Sequence, residues 1–599
     1  MSLMKSIFVV LLLTAIVGIV PQAQAAVTIE VTAAGSSAMW QTMALGAYSL
    51  ACPTLPCATV NGIQGGHWTS ASNVVDLNDT RVSPTNVDAG TIWIVWNPGA
   101  KKVWSYLKVD SVVGDRCYFA SPRCTVIAAA SNLAGTGSSQ ISSVLWGADS
   151  ALPTAISALF TTGTLVNTAA TDIRPEDGAF AACRVNSALG AGSKGGASSD
   201  GLDGLGYNSN NNPGVCPVSG LSQAHYEGSP IVSGYPGHSA TDAANVLSFN
   251  IKGTDPITGG SIPAFTVLKI GATPIVFVDE RISKLKTLQN ATDVQLQQVF
   301  SGKNCDAGAF GLAGGGINAF LREPLSGTEN TTEATVFRKP TIYPGAISGI
   351  SQETGVGLNN PLAGQSGTCT SSDGKGARYR GIGTGEVVKS VLNSATAFPN
   401  ALDGITYTFF SYGNVSSISN NASYGYIQLN GVDPIFAKYS GGDPGQPGGG
   451  TLPAAANTPC GSFPCPESKI WTGGLSYPNV RNGTYSSWSV VRLVSNGAGL
   501  TAATALVIHS QQFVVTSVPD YIPFAKTVAG GTTDPGLLYL RSHYQQYSGD
   551  GTLIGAAPVN KGSTEAGGDM GGCILHNSGS TSTKTQDVQA DAPNCVTRP

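Results

Sequence analysis

The sequence predicts an α/β protein with mainly parallel sheets. Short apolar runs that read as strands recur along the chain, and several are followed by a Gly/Ser/Thr turn and a helix-compatible stretch. Strands that alternate with helices in this way are typical of α/β folds with parallel sheets. Hydrophobic residues make up 41% of the 599 residues, which is enough to build packed cores, and the length allows two or more domains.

The predicted elements of the first half begin with a strand over 27–32. A Gly-Ser-Ser turn at 35–37 follows it, and then a helix over 38–48. Two more strands are predicted at 91–96 and 103–113, separated by the turn at 97–99. A second Gly-Ser-Ser turn, at 137–139, precedes a short helix over 141–146.

In the second half, residues 265–278 predict a pair of strands and 293–300 a helix that ends at Gly302. Two turn-to-helix segments follow, at 322–337 and 381–392, and strands are predicted at 424–429 and 488–494. Residues 184–262, rich in Gly, Ser and Asn, predict a long insertion. A Pro/Gly linker is predicted at 441–450 and a Gly-rich tail at 549–599.

The first 25 residues are typical of a secretory signal peptide. Lys5 supplies the basic region, 7–20 the apolar region and 23–25 a small-residue cleavage site. A membrane anchor is the alternative, but an apolar run of about 14 residues is shorter than the ~20 that a spanning helix needs. We therefore expect a mature protein that starts near Ala26 and is periplasmic or secreted, without insertion into the membrane.

Twelve cysteines agree with an oxidising compartment. Pairing neighbours along the chain gives six candidate disulfides: Cys52 with Cys57, Cys117 with Cys124, Cys183 with Cys216, Cys305 with Cys369, Cys460 with Cys465, and Cys573 with Cys595. A zinc site is the alternative, but no Cys-x-x-Cys pair occurs and the six histidines are scattered. Asp200 and Asp203 hint at a calcium loop that no further ligand spacing completes. We expect no metal and no cofactor.

The charge pattern narrows the possible ligands. Only 11% of residues are charged, against roughly a quarter in ordinary soluble proteins, and the net charge is −4. Such a chain offers no basic field for nucleic acid or for an anionic membrane. An anionic ligand would therefore have to be held by a local site.

The segment from Arg322 to Thr328 predicts such a site. Ser326, Gly327 and Thr328 stand at a predicted helix start, where hydroxyls and unpaired backbone N–H groups meet the positive end of the helix dipole. Arg322 adds a permanent charge with the fork geometry that suits a tetrahedral oxyanion. The alternative is an ordinary helix cap.

Three other turns follow strand-like runs in the same way. They are Gly35-Ser36-Ser37, Gly137-Ser138-Ser139 and Thr171-Asp172. In open α/β sheets, ligands bind at the carboxyl ends of strands. If the four turns meet there, they form a cage of neutral donors with one arginine and one carboxylate. Without its neighbours, Asp172 is explained equally well as a turn residue or as a ligand-binding carboxylate.

These segments resemble the phosphate-binding proteins of Pst-type ABC transporters. Residues 32–38 are similar to that family's first ligand loop, 135–139 to its Gly-Ser-Ser turn, Thr171-Asp172 to its Ser-Asp pair, and 322–328 to its Arg-x-x-x-Ser-Gly-Thr segment. Residues 293–303 resemble its helix ending in Gly-Lys, and 424–426 its Ile-Gly-Tyr strand. The likeness is spread over much of 26–530, in short islands separated by insertions.

The resemblance implies a two-lobed periplasmic-binding-protein fold of type II with long loop insertions. Lobe 1 would comprise 26–265 and 431–548, and lobe 2 would comprise 266–430. Inorganic phosphate, or arsenate, would be bound by Ser37, Ala38, Ser138, Asp172, Arg322, Ser326, Gly327 and Thr328. The partner would be an ABC transporter permease, and no catalysis is expected. Two positions depart from the family: Ala38 replaces its Phe, and Pro324 replaces the Asp that pairs with its Arg.

Other functions stay open. An extracellular structural or adhesive protein on the same fold suits the low charge and the many Asn, Thr and Gly residues equally well. A phosphoester hydrolase has little support, because no Gly-x-Ser-x-Gly elbow occurs and no His is placed for a triad. The glycines at 381–385 lack the spacing of a nucleotide loop. Trp93, Trp96 and Trp104 suggest a sugar platform, but aromatic residues on neighbouring strands are more often core.

Overall fold

The computed structural model describes residues 27–81, 87–141, 143–175, 253–300, 304–322, 325–337, 376–381, 383–411, 423–435, 477–481, 485–516 and 520–523, with a few isolated positions between and after them. The predicted signal peptide, the Gly-rich tail, the 441–450 linker and most of the 184–262 insertion lie outside the described residues. So do Pro324 and seven of the cysteines, at 183, 216, 369, 460, 465, 573 and 595.

Twenty strands are described. They are β1 (Thr28–Gly35), β2 (Thr59–Val60), β3 (Ile63–Gln64), β4 (Gly66–Thr69), β5 (Val75–Asn78), β6 (Val87–Trp96), β7 (Lys102–Lys108), β8 (Thr125–Ile127), β9 (Thr164–Leu165), β10 (Thr168–Thr171), β11 (Thr266–Glu280), β12 (Asn290–Ala291), β13 (Asn318–Arg322), β14 (Arg378–Gly381), β15 (Gly404–Phe409), β16 (Tyr424–Leu429), β17 (Trp488–Ser495), β18 (Ile522–Pro523), β19 (Lys526–Thr527) and β20 (Thr533–Asp534).

The described α-helices are α1 (Trp40–Ala51), α2 (Ser111–Phe119), α3 (Ser143–Trp146), α4 (Thr154–Thr162), α5 (Asp293–Phe300), α6 (Gly327–Thr332), α7 (Gly383–Leu392), α8 (Ser394–Ala397), α9 (Pro478–Arg481) and α10 (Gly497–Thr516). A π-helical turn, Glu333–Phe337, continues α6, and 3₁₀ turns occur at Pro98–Ala100, Ala130–Leu133 and Ala307–Phe310. Within the described residues, none of these helices has both the length and the apolar character needed to span a bilayer.

The fold is mixed α/β with one large sheet. Twelve of its sixteen strands follow the order β14-β13-β15-β11-β17-β10-β1-β7-β6-β5-β8-β9, and β4, β12, β16 and β18 pair to this path. The prediction of mainly parallel pairing is wrong, because β1 is parallel to β7 and β10 while β4 to β7 form antiparallel pairs. The reason is that β4, β5, β6 and β7 follow one another without an intervening α-helix, so neighbouring strands return as hairpins.

Strand β11 joins the two ends of this sheet. Its first half pairs antiparallel with β17, and its second half, from Ile275, pairs with β15 and β16. The predicted pair of strands over 265–278 is therefore one continuous strand. Gly271 lies inside this strand and lets the backbone of β18 approach, since a Cβ there would overlap Ile522 O.

The parallel pairs set the position of the carboxyl ends. Strands β10, β1 and β7 run parallel and in adjacent register, with Gly35 opposite Ala170 and Lys108. Strands β14, β13 and β15 form a second parallel group at the other end of the sheet. Helices α1 and α10 pack against each other beside the first group, and α2 packs on β1 and β10. Helices α6 and α7 pack on the second group. We refer to the two groups with their helices as the first and second sheet regions.

Most of the predicted elements are confirmed to within a few residues. The strands at 27–32, 91–96, 424–429 and 488–494 and the helices at 38–48 and 293–300 are present. The strand predicted over 103–113 is too long, since it ends at Lys108 and helix α2 begins at Ser111. The helix predicted over 141–146 is only the short α3.

Two of the predicted disulfides are present. Cys52 is bonded to Cys57, and Cys117 to Cys124. Cys305 is also disulfide-bonded, while its predicted partner, Cys369, lies outside the described residues. The remaining three pairings stay predictions.

Candidate functional site

The turns after the three parallel strands of the first sheet region bring polar groups together. β1 is followed by Ser36 and Ser37, β7 by Asp110 and Ser111, and β10 by Asp172. Because these strands run parallel in adjacent register, their carboxyl ends lie at one edge of the sheet. The sequence therefore places five hydroxyl or carboxyl side chains at a single edge.

Asp172 is the acceptor at the centre of this edge and is buried. The Ser36 hydroxyl donates to its Oδ2 over 3.1 Å, and the Ser111 hydroxyl donates to its Oδ1. Burial raises the pKa of Asp172 above its usual range, although the two serine hydrogen bonds and the charge of Arg322 oppose the rise. The carboxylate is thus held by hydroxyl donors with a higher proton affinity than an exposed aspartate.

Two hydrogen bonds to Ser36 fix the conformation of the Ser36-Ser37-Ala38 turn. Ala38 N–H donates to Ser36 Oγ over 3.1 Å, and the Tyr106 hydroxyl donates to the Ser36 carbonyl. Ser37, the predicted ligand residue, is half-buried and its Oγ lies 3.1 Å from Thr384 Oγ1. The hydroxyl on Asp172 is therefore that of Ser36, and Ser37 faces the second sheet region instead.

Arg322 ends β13 and is a buried cation of the second sheet region. Its Nη1 donates to Thr328 Oγ1 over 3.1 Å and to Thr384 Oγ1 over 3.0 Å, and its Nη2 donates to Asp110 Oδ1 over 3.3 Å. Its backbone N–H donates to the hydroxyl of Tyr407 over 3.2 Å. The guanidinium thereby joins helices α6 and α7 to the turn after β7.

The two sheet regions meet at these groups. The ion pair between Asp110 and Arg322 crosses from one region to the other, as does the backbone hydrogen bond from Val112 N–H to Leu325 O, 3.3 Å long. Gly327 lies against the Asp172 carboxylate, since a Cβ at Gly327 would overlap Asp172 Oδ1 and lie 2.8 Å from Ser111 Oγ. The site is thus built from both regions.

The Ser326-Gly327-Thr328 segment has a structural role as well. Ser326 Oγ accepts the backbone N–H of Glu329 over 3.3 Å, as an N-cap does. Glu329, in turn, accepts a hydrogen bond from the Tyr407 hydroxyl. The capping alternative therefore applies to Ser326, whereas Gly327 and Thr328 contact Asp172 and Arg322.

Ser138 is placed elsewhere. It is exposed, and its backbone N–H donates to Thr69 O over 2.9 Å. The next residue, Ser139, donates its N–H to Asp149, which also accepts from His67 Nδ1. In the described part of the chain, the serine at the carboxyl end of the neighbouring parallel strand is Ser111, not Ser138.

Sequence reasoning missed Ser36, Asp110, Ser111 and Thr384. A signal for two of them was available, because Asp110-Ser111 is a polar pair of the kind that precedes a helix. The apolar residues on either side, at 109 and 112–113, extended the strand prediction across it. Asp110 also supplies the carboxylate partner of Arg322 that position 324 lacks.

The arrangement contains the groups that a tetrahedral oxyanion still carrying a proton would need. Arg322 offers a permanent positive charge, the serine and threonine hydroxyls can donate or accept, and Asp172 can accept a proton-bearing oxygen. Within the described residues, no group of three His, Cys, Asp or Glu side chains is arranged to hold a metal ion.

Comparison with known proteins gives distant structural similarity alone. No protein-family model and no curated protein sequence matches the chain. A phosphate-binding protein from Stenotrophomonas maltophilia matches at 12% identity over 84% of this chain and 86% of its own, with a TM-score of 0.30. A human phosphate-binding apolipoprotein matches at 13% identity over 82% and 90%, with a TM-score of 0.31. An ABC-type phosphate transport receptor from Vibrio cholerae matches at 12% identity over 42% and 70%, with a TM-score of 0.23. At scores this low, the function must be inferred from the residues of this chain.

Proposed function

We propose that this chain is an exported, non-catalytic substrate-binding protein that captures inorganic phosphate for an ABC importer. The main support is the presence in one site of a buried acceptor, Asp172, and a buried cation, Arg322, from different sheet regions. Asp172 accepts from the hydroxyls of Ser36 and Ser111, and Arg322 donates to those of Thr328 and Thr384. A buried charge is costly unless a partner compensates it. A ligand that is anionic and also protonated satisfies both groups at once.

Phosphate meets both requirements at neutral pH, and arsenate does so equally. The negative oxygens would accept from Arg322 and from hydroxyls such as those of Thr328 and Thr384. The remaining proton would be donated to Asp172. Sulfate carries the charge but not the proton, so its oxygen would face the carboxylate with lone pair against lone pair. The proposed ligand is therefore defined by its proton as much as by its charge.

The proposed transport role rests on the resemblance of the sequence segments and on the construction of the site from two sheet regions. Two lobes that close on an anion bury it and present one surface to a permease. The lobe boundaries proposed from the sequence, near 265 and 430, fall at the start of β11 and just after β16.

Equilibrium dialysis with labelled phosphate tests the proposal. The wild type should bind one phosphate per chain, and Arg322→Ala should lose measurable binding, since truncating one partner of a buried charge pair costs about 3–5 kcal/mol. Arg123→Ala is the control, because that side chain stacks on Tyr118 and bonds Asn496, outside the site.

The outcomes separate the alternatives. No binding by the wild type contradicts the proposal and favours the structural or adhesive protein. Hydrolysis of a phosphoester favours the hydrolase. Arg322→Ala binding within about threefold of wild type, with an unchanged melting curve, would remove Arg322 from the site, since threefold is under 1 kcal/mol.

A further inference from the structure

Lys108 is a cation on a strand of the candidate site, and it has no role among the contacts described above. It is the last residue of β7, two residues before Asp110, and pairs across the sheet with Gly35, immediately before Ser36 and Ser37. Its side chain is half-buried. Among the ion pairs between described residues Lys108 takes part in none, whereas Lys102 on the same strand pairs with Glu30 over 3.1 Å.

The position of the ammonium is fixed by Trp40. Lys108 Nζ lies 4.8 Å from the centroid of the Trp40 ring, over its face. That ring is itself held against β7, because Trp40 Nε1 donates to Tyr106 O over 3.0 Å. A cation on an aromatic face is stabilised but not neutralised, so its charge stays available to a ligand.

Lys108 lies on the side of the strand that carries the site turn. Residues two apart on a strand share a face, and Tyr106 is two residues before Lys108. The Tyr106 hydroxyl donates to the carbonyl of Ser36. Trp40 begins helix α1, four residues after Ser36. Lys108 therefore lies, by its backbone pairing with Gly35 and by its contact with Trp40, between the two residues that flank the turn that contacts both Asp172 and Thr384.

We infer that Lys108 is a specificity-determining residue of this site, supplying a second positive charge that favours the phosphate dianion over singly charged anions. The inference rests on the proposed function. The ionisable groups of the neighbouring site are Tyr106, Asp110 and Asp172 on the first sheet region and Arg322 on the second. With Lys108 included, two cations stand against the two carboxylates, so a doubly charged ligand meets less net repulsion.

Burial also lowers the pKa of Lys108 below its ordinary value. An ammonium that has lost part of its hydration gains more from a nearby anion than an exposed one. The second charge of the dianion is thus expected to act on Lys108 more strongly than on an ordinary surface lysine.

Titration calorimetry with inorganic phosphate tests this inference. Lys108→Met keeps the apolar stem on Trp40 and removes the charge, and it should weaken binding about tenfold or more at mildly alkaline pH, which is about 1.4 kcal/mol. Lys108→Arg should stay within about threefold of wild type. Lys102→Met, on the same strand but exposed, should bind like the wild type.

The pH profile separates a charge effect from a structural one. As phosphate passes from monoanion to dianion, wild-type affinity should rise more steeply than that of Lys108→Met, and the two should converge in mild acid. Asp172 and Arg322 are unchanged in both proteins, so a difference between the two profiles originates at position 108. If Lys108→Met does not fold, Lys108→Gln replaces it.

Two results overturn the inference. A Lys108→Met or Lys108→Gln protein with wild-type affinity and pH profile means that Lys108 only covers Trp40. An equal loss at every pH means that the residue acts through folding. If wild-type protein binds no phosphate at all, the proposed function fails first, and this inference fails with it.

Discussion

Asp172 and Arg322 are the two residues on which the proposed site depends, and each is held by short polar side chains rather than by the other. Asp172 accepts from Ser36 and Ser111, and Arg322 donates to Thr328, Thr384 and Asp110. A hydroxyl partner can be exchanged for a ligand oxygen, because the hydroxyl can then donate to the ligand itself. At the scale of single residues, ligand choice should therefore follow the acceptor or donor character of Asp172.

Asp172→Asn should relax the rejection of sulfate. The wild type is expected to prefer phosphate by a factor on the order of 10⁴ or more, because sulfate leaves the carboxylate facing a lone pair in a desolvated site. The amide can donate to sulfate, so this preference should shrink while phosphate affinity changes less. Competition titrations of labelled phosphate against excess sulfate measure both.

The same experiment has a pH arm. Because the pKa of Asp172 is raised, its carboxyl group takes up a proton at a higher pH than an exposed aspartate and can then donate to sulfate. Sulfate should therefore compete better with the wild type as the pH falls, but not with Asp172→Asn. Equal sulfate rejection by both proteins would make Asp172 an ordinary turn residue.

Gly327→Ala should weaken ligand binding by changing the part of the site that belongs to the second sheet region. An added Cβ would overlap Asp172 Oδ1 and approach Ser111 Oγ, so that the carboxylate or helix α6 must move. We expect phosphate binding to weaken at least about tenfold and stability to fall by about 1–3 kcal/mol. Gly385→Ala is the matched control, because a Cβ there meets nothing within 4 Å. Calorimetry and urea unfolding of both variants decide it, and identical behaviour of the two would contradict the contact.

At the scale of elements, the junction of β7 and α2 creates half of the site. Strand β7 ends at Lys108, and Asp110 adopts the extended conformation of an N-cap before α2. The apolar residues 112 and 113 belong to the helix, where they are part of the same buried apolar cluster as Leu325. This change from strand to helix places Asp110 and Ser111 at the sheet edge, and a strand that continued to 113 would carry them past it.

The disulfide between Cys117 and Cys124 ties the end of α2 to the start of β8 and is completely buried. Replacing both cysteines with alanine should lower the free energy of unfolding by about 2–3 kcal/mol, from the loss of loop closure in the unfolded chain. Urea unfolding of the double variant under oxidising conditions measures this. The Cys52→Ala/Cys57→Ala protein, which opens a loop of similar length, is the comparison. A change below about 0.5 kcal/mol would mean that the bond contributes no loop-closure stabilisation.

At the scale of the whole molecule, a buried carboxyl cluster makes stability depend on pH. Glu280 ends β11, and burial raises its pKa to about 7; the neighbouring charge of Asp403 adds to the rise. Burial likewise raises the pKa of Asp279 to about 6. A folded state that holds these protons more tightly than the unfolded chain is stabilised at low pH, and that contribution is lost as the pH rises from about 4.5 through about 7.

Glu280→Gln should therefore gain stability relative to the wild type as the pH is raised. The amide can still accept the N–H of Ala395 and has no proton to lose. Between about pH 5 and about pH 8 the difference should change by on the order of 2 kcal/mol in favour of the variant. Urea unfolding at the two pH values measures it, with Glu30→Gln as a control at a surface ion pair. A difference that does not vary with pH would exclude Glu280 as the titrating group.

The sequence by itself determined the local elements and part of the site. Strand formation by the alternating runs at 27–32 and 424–429, and the polar turns after strands, are set by residues close together in the chain. The same local patterns predicted that Asp172, Arg322 and Gly327 lie at such turns. Only the tertiary structure decided which turns meet. Asp110 and Ser111 join the site because β7 is parallel to β1, whereas Ser138 lies on a loop that packs against Thr69. The antiparallel pairing of β4 to β7, and the single long β11, likewise follow from long-range hydrogen bonds, which no local pattern specifies.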